Sequence, residues 1–292
     1  MQVSFSIWFQ ELFSSFRAFF DVFFGICTFF GEELFLLLIF LIFYYTINKR
    51  IAKIFGVASV AAVGLNSALK ELCKIERPIE DPNVRYVVID NFFVNTKKLE
   101  GTYSFPSGHA MLSTALFTSI GLNLKNKRFW ILSVFIITLV AMSRIYLGVH
   151  FLIDCVVGIV LGVIIGYLIH LLYKKINNKE YFIYLALILF ASLLFIFATN
   201  ADDFKVIGAI YAFSIGSILE MRFVDFNPNE GSIVKKVIRL VIGAILVIAL
   251  KEGLKYLFNL IGEYNILHLI RYFIVGMFAI FGYPLFFKKV KL

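Results

Sequence analysis

Nine apolar runs follow one another between Glu32 and Phe287, separated by short clusters of lysine and arginine. A run of roughly 20 apolar residues is long enough to cross a bilayer as a helix. In hydrocarbon a lone segment can satisfy its own backbone groups only as a helix. The composition agrees, with 61% hydrophobic and 16% charged residues, where a soluble domain is about half apolar and a quarter charged. The sequence therefore predicts an all-α integral membrane protein, a polytopic helical bundle of about nine transmembrane helices. The net charge of +9 comes from the clusters between runs. That pattern sets membrane topology and is not a phosphate-tracking stripe, so no nucleic-acid partner is expected.

The clusters also orient the chain. Lys49, Arg50 and Lys53, then Lys125, Lys127 and Arg128, then Lys174, Lys175 and Lys179, then Lys235, Lys236 and Arg239, and finally Lys288, Lys289 and Lys291 fall on one side if the nine runs span. Basic loops stay cytoplasmic. The alternate loops, with Glu32 and Glu33, the mixed segment Lys74–Tyr103, Asp202 and Asp203, and Glu263, then face outward. The expected location is a bacterial cytoplasmic membrane. No basic n-region or small-residue cleavage site marks a removable signal peptide at the N-terminus.

Before the first run, Phe5, Trp8, Phe9, Leu12, Phe16, Phe19, Phe20 and Phe23 recur at helical steps, with Gln10, Ser14, Arg17 and Asp21 on the other side. This predicts an amphipathic helix lying in the membrane interface, with a true span as the alternative. The expected division is an interfacial helix and connection at 1–30, a core bundle at 31–176, and a C-terminal membrane block of about four helices at 177–292. Packing or self-association as a homo-oligomer is the expectation for that last block. Cys27, Cys73 and Cys155 show no metal-ligand spacing and read as buried thiols, although a Cys73–Cys155 disulfide is conceivable.

Three polar motifs fall at the outward ends of the runs. Lys70 and Arg77 close the second run seven residues apart, on one helix face, before Pro78 ends the helix. Pro106-Ser107-Gly108-His109 opens the third run. A helix starting there directs unpaired N–H groups outward, as an anion site needs. Arg144 ends the fourth run, and His150 and Asp154, four residues apart, lie where the fifth begins. A carboxylate on one imidazole nitrogen fixes the tautomer and leaves the other free as nucleophile or base. Taken singly, these motifs are equally a turn, a pair of snorkelling cations and a structural His–Asp pair. Together they assemble two histidines, one carboxylate and three cations around an anion-binding turn, a set suited to a phosphate dianion. No carboxylate cluster suited to Mg²⁺ lies near, so no metal or other cofactor is expected.

The order, spacing and identity of these residues resemble the three-part signature of the type-2 phosphatidic acid phosphatase superfamily. The resemblance covers roughly Glu32 to Tyr173. It implies that His150 attacks phosphorus, that Asp154 orients His150, and that His109 protonates the leaving group. It also implies that Lys70, Arg77, Ser107, Gly108 and Arg144 hold the phosphoryl oxygens. The implied activity is hydrolysis of a lipid phosphate, of the phosphatidate, phosphatidylglycerol phosphate or undecaprenyl diphosphate class. A lipid phosphotransferase or a membrane transporter is the alternative, motivated by the extra runs and by Arg239, Lys251, Glu252 and Arg271.

Overall fold

The computed structural model describes residues 2–91, 93–99, 101–176, 179–290 and 292. Lys291 of the C-terminal basic cluster lies outside the described residues. Among those described the protein is all-helical, with a single isolated bridge between Asp90 and Asn95. Five helices are long and apolar enough to cross a membrane, or six if a bent N-terminal pair counts as one. Glu33–Ile47 and Tyr181–Leu194 are apolar but shorter. The protein is an integral, multi-pass membrane protein. The chain forms two compact units, residues 1–37 with 69–170, and residues 38–68 with 171–292.

The first unit contains α1 (Gln2–Glu11), α2 (Arg17–Phe29), the start of α3 (Glu33–Ile42), the end of α4 (Lys49–Cys73), α5 (Gly108–Leu124), α6 (Lys127–Tyr146) and most of α7 (Leu152–Ile176). The segment expected to be one N-terminal helix is bent by 50° between α1 and α2. The break holds the Ser14-Ser15 pair, whose hydroxyls compete with the helical ladder. The polar side of this segment also turns inward. Gln10 Nε2 donates to the Arg85 and Tyr146 carbonyls at 2.7 and 2.8 Å. Asp21 pairs with Arg85 and accepts from the Tyr146 hydroxyl at 2.7 Å. Phe9 and Phe24 enter the core beside Tyr146 and Val149, while Trp8, Phe16 and Phe19 remain exposed.

Helices α5 and α7 meet along Gly158, Gly162 and Gly166. A Cβ on these residues would lie 2.7 Å from Ser107 O, 2.5 Å from Met111 O and 2.9 Å from Thr118 Cβ. Only hydrogen at this four-residue spacing lets the two backbones approach so closely. The stripe brings the start of α7 against the start of α5. Cys27, Cys73 and Cys155 are free thiols, so the conceivable Cys73–Cys155 bridge is not formed.

The second unit contains the end of α3 and the start of α4, the end of α7, and α8 (Tyr181–Leu194), α9 (Ala201–Leu219), α10 (Ile233–Ile261), α11 (Asn265–Met277) and α12 (Tyr283–Lys289). Wide turns of π type interrupt it at Phe43–Ile47, Glu220–Val224 and Phe278–Gly282. Such turns disturb the i→i−4 ladder and expose carbonyls to other donors. Tyr44 and Tyr45 donate to the Ile280 and Ala279 carbonyls at 3.0 and 2.6 Å. Two lysines of this unit are matched by carboxylates. Lys53 and Lys49 each reach Glu220 at 2.9 Å, and Lys49 also reaches Asp225 at 2.8 Å.

Candidate active site

The first unit brings together all eight residues singled out by sequence. Lys70 lies on the last turn of α4. The helix ends at Cys73, short of Pro78, so Arg77 does not share a helix face with Lys70 as the spacing predicts, and Pro78 opens a short 3₁₀ turn. Arg77, just before that turn, is 2% exposed. Its Nε donates to Thr102 Oγ1 at 2.9 Å and its Nη1 to the Val149 carbonyl at 2.8 Å. The same Nη1 lies 3.1 Å from His150 Nε2.

Ser107 is the N-cap of α5, with its backbone extended and its hydroxyl not spent on capping. Its N–H donates instead to the Asp154 carbonyl at 3.0 Å, which ties the start of α5 to α7. Gly108 is the first helical residue, and the N–H groups of that first turn have no intrahelical acceptor. His109 follows, with Nε2 at 3.1 Å from Glu32 Oε1. Gly31, beside Glu32, permits this approach, because a Cβ there would stand 2.9 Å from His109 Cβ.

Arg144 is 1% exposed near the end of α6. Its Nη1 donates to Thr28 Oγ1 at 2.7 Å. Its Nε and Nη2 are buried without an acceptor among the described residues, as is Ser107 Oγ. After α6 the chain turns through Gly148 at φ +77°, where a Cβ would meet the Arg85 carbonyl at 2.5 Å. A side chain is disfavoured by both the backbone angle and the contact. This turn delivers His150, 2% exposed, into the cluster. Its Nδ1 is 3.4 Å from Asp154 Oδ2, which also accepts the Phe151 N–H at 2.8 Å.

His150 lies in the connection between α6 and α7, outside the spanning helices. Burial pushes its pKa well below the ordinary imidazole range, and the charges of Arg77, Arg144, Lys70 and His109 push it further. The ring is therefore neutral near pH 7. With Nδ1 directed at a carboxylate and Nε2 at a guanidinium donor, the consistent tautomer carries its proton on Nδ1 and a lone pair on Nε2. Such a lone pair, surrounded by oxyanion donors, can attack an electrophilic phosphorus.

Two residues of the cluster carried no signal of their own in the sequence. Glu32 reads there only as a charge near the start of the first run, and Thr28 as one more position in a Phe-rich segment. Both come from the junction of α2 and α3, Glu32 placing its carboxylate against His109 and Thr28 accepting a hydrogen bond from Arg144.

Two family models match the chain. The PAP2 superfamily matches residues 51–178, and the PAP2 superfamily phosphatase, transmembrane extension, matches residues 204–292. Phosphatidylglycerophosphatase B of Bacillus subtilis (strain 168) is 33% identical over 103 residues, which cover 32% of this chain and 44% of that protein. The chain thus spans less than half the length of this curated relative. The crystal structure of a transmembrane PAP2-type phosphatidylglycerolphosphate phosphatase from Bacillus subtilis is 25% identical, with a TM-score of 0.45. That match covers 60% of this chain and 88% of the other.

Proposed function

The chain belongs to the PAP2 superfamily, and from that premise we propose that it hydrolyses a lipid phosphate at the extracytoplasmic face of the membrane, without a metal ion. The observation that carries the reading is the setting of His150, a buried neutral imidazole between Asp154 and Arg77. Arg144 adds two nitrogen donors that no acceptor among the described residues takes up. Basic loops on the opposite ends of the helices support the outward placement.

In the proposed reaction His150 Nε2 attacks phosphorus as the P–O bond to the lipid breaks, giving a phosphohistidine. His109 gives its proton to the departing oxygen. Water then attacks the phosphohistidine, His109 takes a proton from that water, and the P–N bond electrons return to Nε2 as phosphate leaves. Asp154 holds the Nδ1 proton throughout. Lys70, Arg77, Arg144, Ser107 and the Gly108 amide stabilise the charge on the phosphoryl oxygens, the largest contribution fixed donors make to such a transfer.

The substrate class is a lipid phosphomonoester or diphosphate, and the similarity to phosphatidylglycerophosphatase B makes phosphatidylglycerol phosphate the first candidate. The test is release of phosphate by the purified protein in detergent containing a chelator. The panel is phosphatidylglycerol phosphate, phosphatidate, a sphingoid phosphate and undecaprenyl diphosphate. His150→Ala is expected to lower the rate at least about 10³-fold, the scale seen when an essential nucleophile is removed. Full activity in that variant would overturn the mechanism. A phosphorylated acceptor in place of free phosphate would make the protein a transferase. Solute uptake into liposomes with neither product would make it a transporter.

A further inference from the structure

The second unit has two buried arginines, and they are treated very differently. Arg239, 2% exposed, gives its terminal nitrogens to three carbonyls, those of Tyr45, Glu230 and Leu292, at 3.1, 3.2 and 2.7 Å. Its guanidinium also covers the Phe287 ring at 4.6 Å. Arg271, 6% exposed, has no hydrogen-bond acceptor and no carboxylate within ion-pair distance among the described residues. Its protein contact as a cation is the Tyr272 ring at 5.2 Å.

Arg271 sits six residues into α11, about 9 Å along the axis from Asn265 at 1.5 Å per residue. A charged side chain at such depth in a spanning helix is costly unless something neutralises it, and it marks a functional position by default. Arg271 lines a cavity of about 310 Å³ between the last turn of α10 and the first turns of α9 and α11. His268, three residues earlier on the same helix face, lines it too, with Asn259, Tyr264 and Phe258. Glu263 is an exposed residue of the lining, while Asp202 nearby is already paired with Lys205 at 2.5 Å.

We propose that this cavity is a second, non-catalytic oxyanion site, which takes a phosphate group on the guanidinium of Arg271 with His268 beside it. The planar guanidinium fork matches two phosphate oxygens, and the imidazole supplies a further donor. The phosphate is either free or the headgroup of an intact phospholipid. Exposed Leu257, Leu260, Ile261 and Ile266 flank the cavity, so acyl chains can lie along α10 and α11 while the headgroup enters. The exposed carboxylate of Glu263 opposes the anion and weakens its binding. Every lining residue but Ala201 lies within the segment matched by the transmembrane extension, and the site gives that segment a ligand of its own.

The test places a fluorescent reporter at the rim by Tyr264→Trp in the full chain, in maltoside micelles. One arm titrates inorganic phosphate and the other a short-chain phosphatidylglycerol, whose phosphodiester the proposed hydrolysis leaves intact. A saturable emission change in either arm is expected, and the arm that responds identifies the source. Adding Arg271→Gln is expected to weaken it at least about 10-fold, the scale of one charge-assisted contact. Arg271→Lys, which keeps the charge and loses the fork, should fall between. Glu263→Gln should tighten binding or leave it unchanged. Phosphate release should stay within about 2-fold of the parent in the Arg271 variants, which separates this site from the reaction centre. No saturable change in either arm, an equal change in Arg271→Gln, or weaker binding in Glu263→Gln overturns the proposal.

Discussion

The two units bury charge in opposite ways. In the second unit Lys49 and Lys53 converge on Glu220, and Lys49 also holds Asp225, so both lysines meet a carboxylate. In the first unit Lys70, Arg77 and Arg144 gather around a neutral histidine, and the nearby carboxylates, Asp154 and Glu32, face the two imidazoles. A matched network needs nothing further and holds helices in register. A network that gathers cations around a neutral imidazole, with Arg144 Nε and Nη2 left without an acceptor among the described residues, holds a positive potential that an anion relieves. The difference separates structural charge from functional charge within one chain, and it is what makes Arg271 conspicuous in a unit where the other buried cations are served.

The sharpest way to break this comparison is to unmatch the matched side. Glu220→Gln leaves Lys53, 3% exposed, buried beside a neutral amide. Removing one partner of a buried pair costs about 3–5 kcal/mol. Thermal unfolding in detergent should show that loss, while the folded fraction keeps its kcat. If Glu220→Gln unfolds like the parent, the cluster is not the staple its geometry implies.

Arg144→Gln makes the opposite prediction. It removes a cation from a site with a surplus, so stability should hold or rise slightly while kcat falls about 10²–10³-fold, the scale of a lost oxyanion donor. A matching loss of melting temperature would show that Arg144 serves the fold and not the reaction. Glu32→Gln should cost less, about 10–100-fold in kcat, because it acts through His109. Its signature is the leaving group. An alkyl lipid phosphate needs the proton His109 supplies, whereas an aryl phosphate with an acidic phenol does not. The variant should therefore lose rate on the lipid and keep nearly all of it on the aryl ester. Equal losses on both would reduce Glu32 to a packing residue, and His109→Ala in parallel shows whether the general acid itself is assigned correctly.

How much of this was legible in the sequence depends on where each signal lives. Helical class and membrane embedding followed from run length and composition, which report on solvent. The eight motif residues were legible from their identities and spacing, but not as pairs on single helices, since Arg77 lies beyond the end of α4 and His150 lies before α7 begins. Glu32 and Thr28 were not, since they act on His109 and Arg144 from far along the chain and no periodicity encodes such contacts. The N-terminal polar stripe was visible, but its direction was not. Gln10 and Asp21 look water-facing until Arg85, in a loop without periodic pattern, is placed against them. The wide turns were equally hidden, because their carbonyls are satisfied by Tyr44 and Tyr45 from another part of the chain.

The smallest expected effect tests the electrostatic side of the comparison directly. His150 has a folded pKa depressed well below 6.5, by burial first and then by Arg77, Arg144, Lys70 and His109. Above the ordinary imidazole pKa the ring is neutral in both folded and unfolded chains and contributes nothing to pH dependence. As pH falls through that value the unfolded chain takes a proton that the folded chain refuses, so stability is lost on acidification. One proton limits the slope to about 1.4 kcal/mol per pH unit. His150→Gln removes that proton while other groups titrate as before, so their contributions cancel in the comparison. The variant should therefore lose less melting temperature than the parent between pH 7.5 and pH 5. Parallel acid profiles for the two proteins would mean that the folded ring takes up its proton as the unfolded one does, and that burial and the surrounding cations do not hold it neutral.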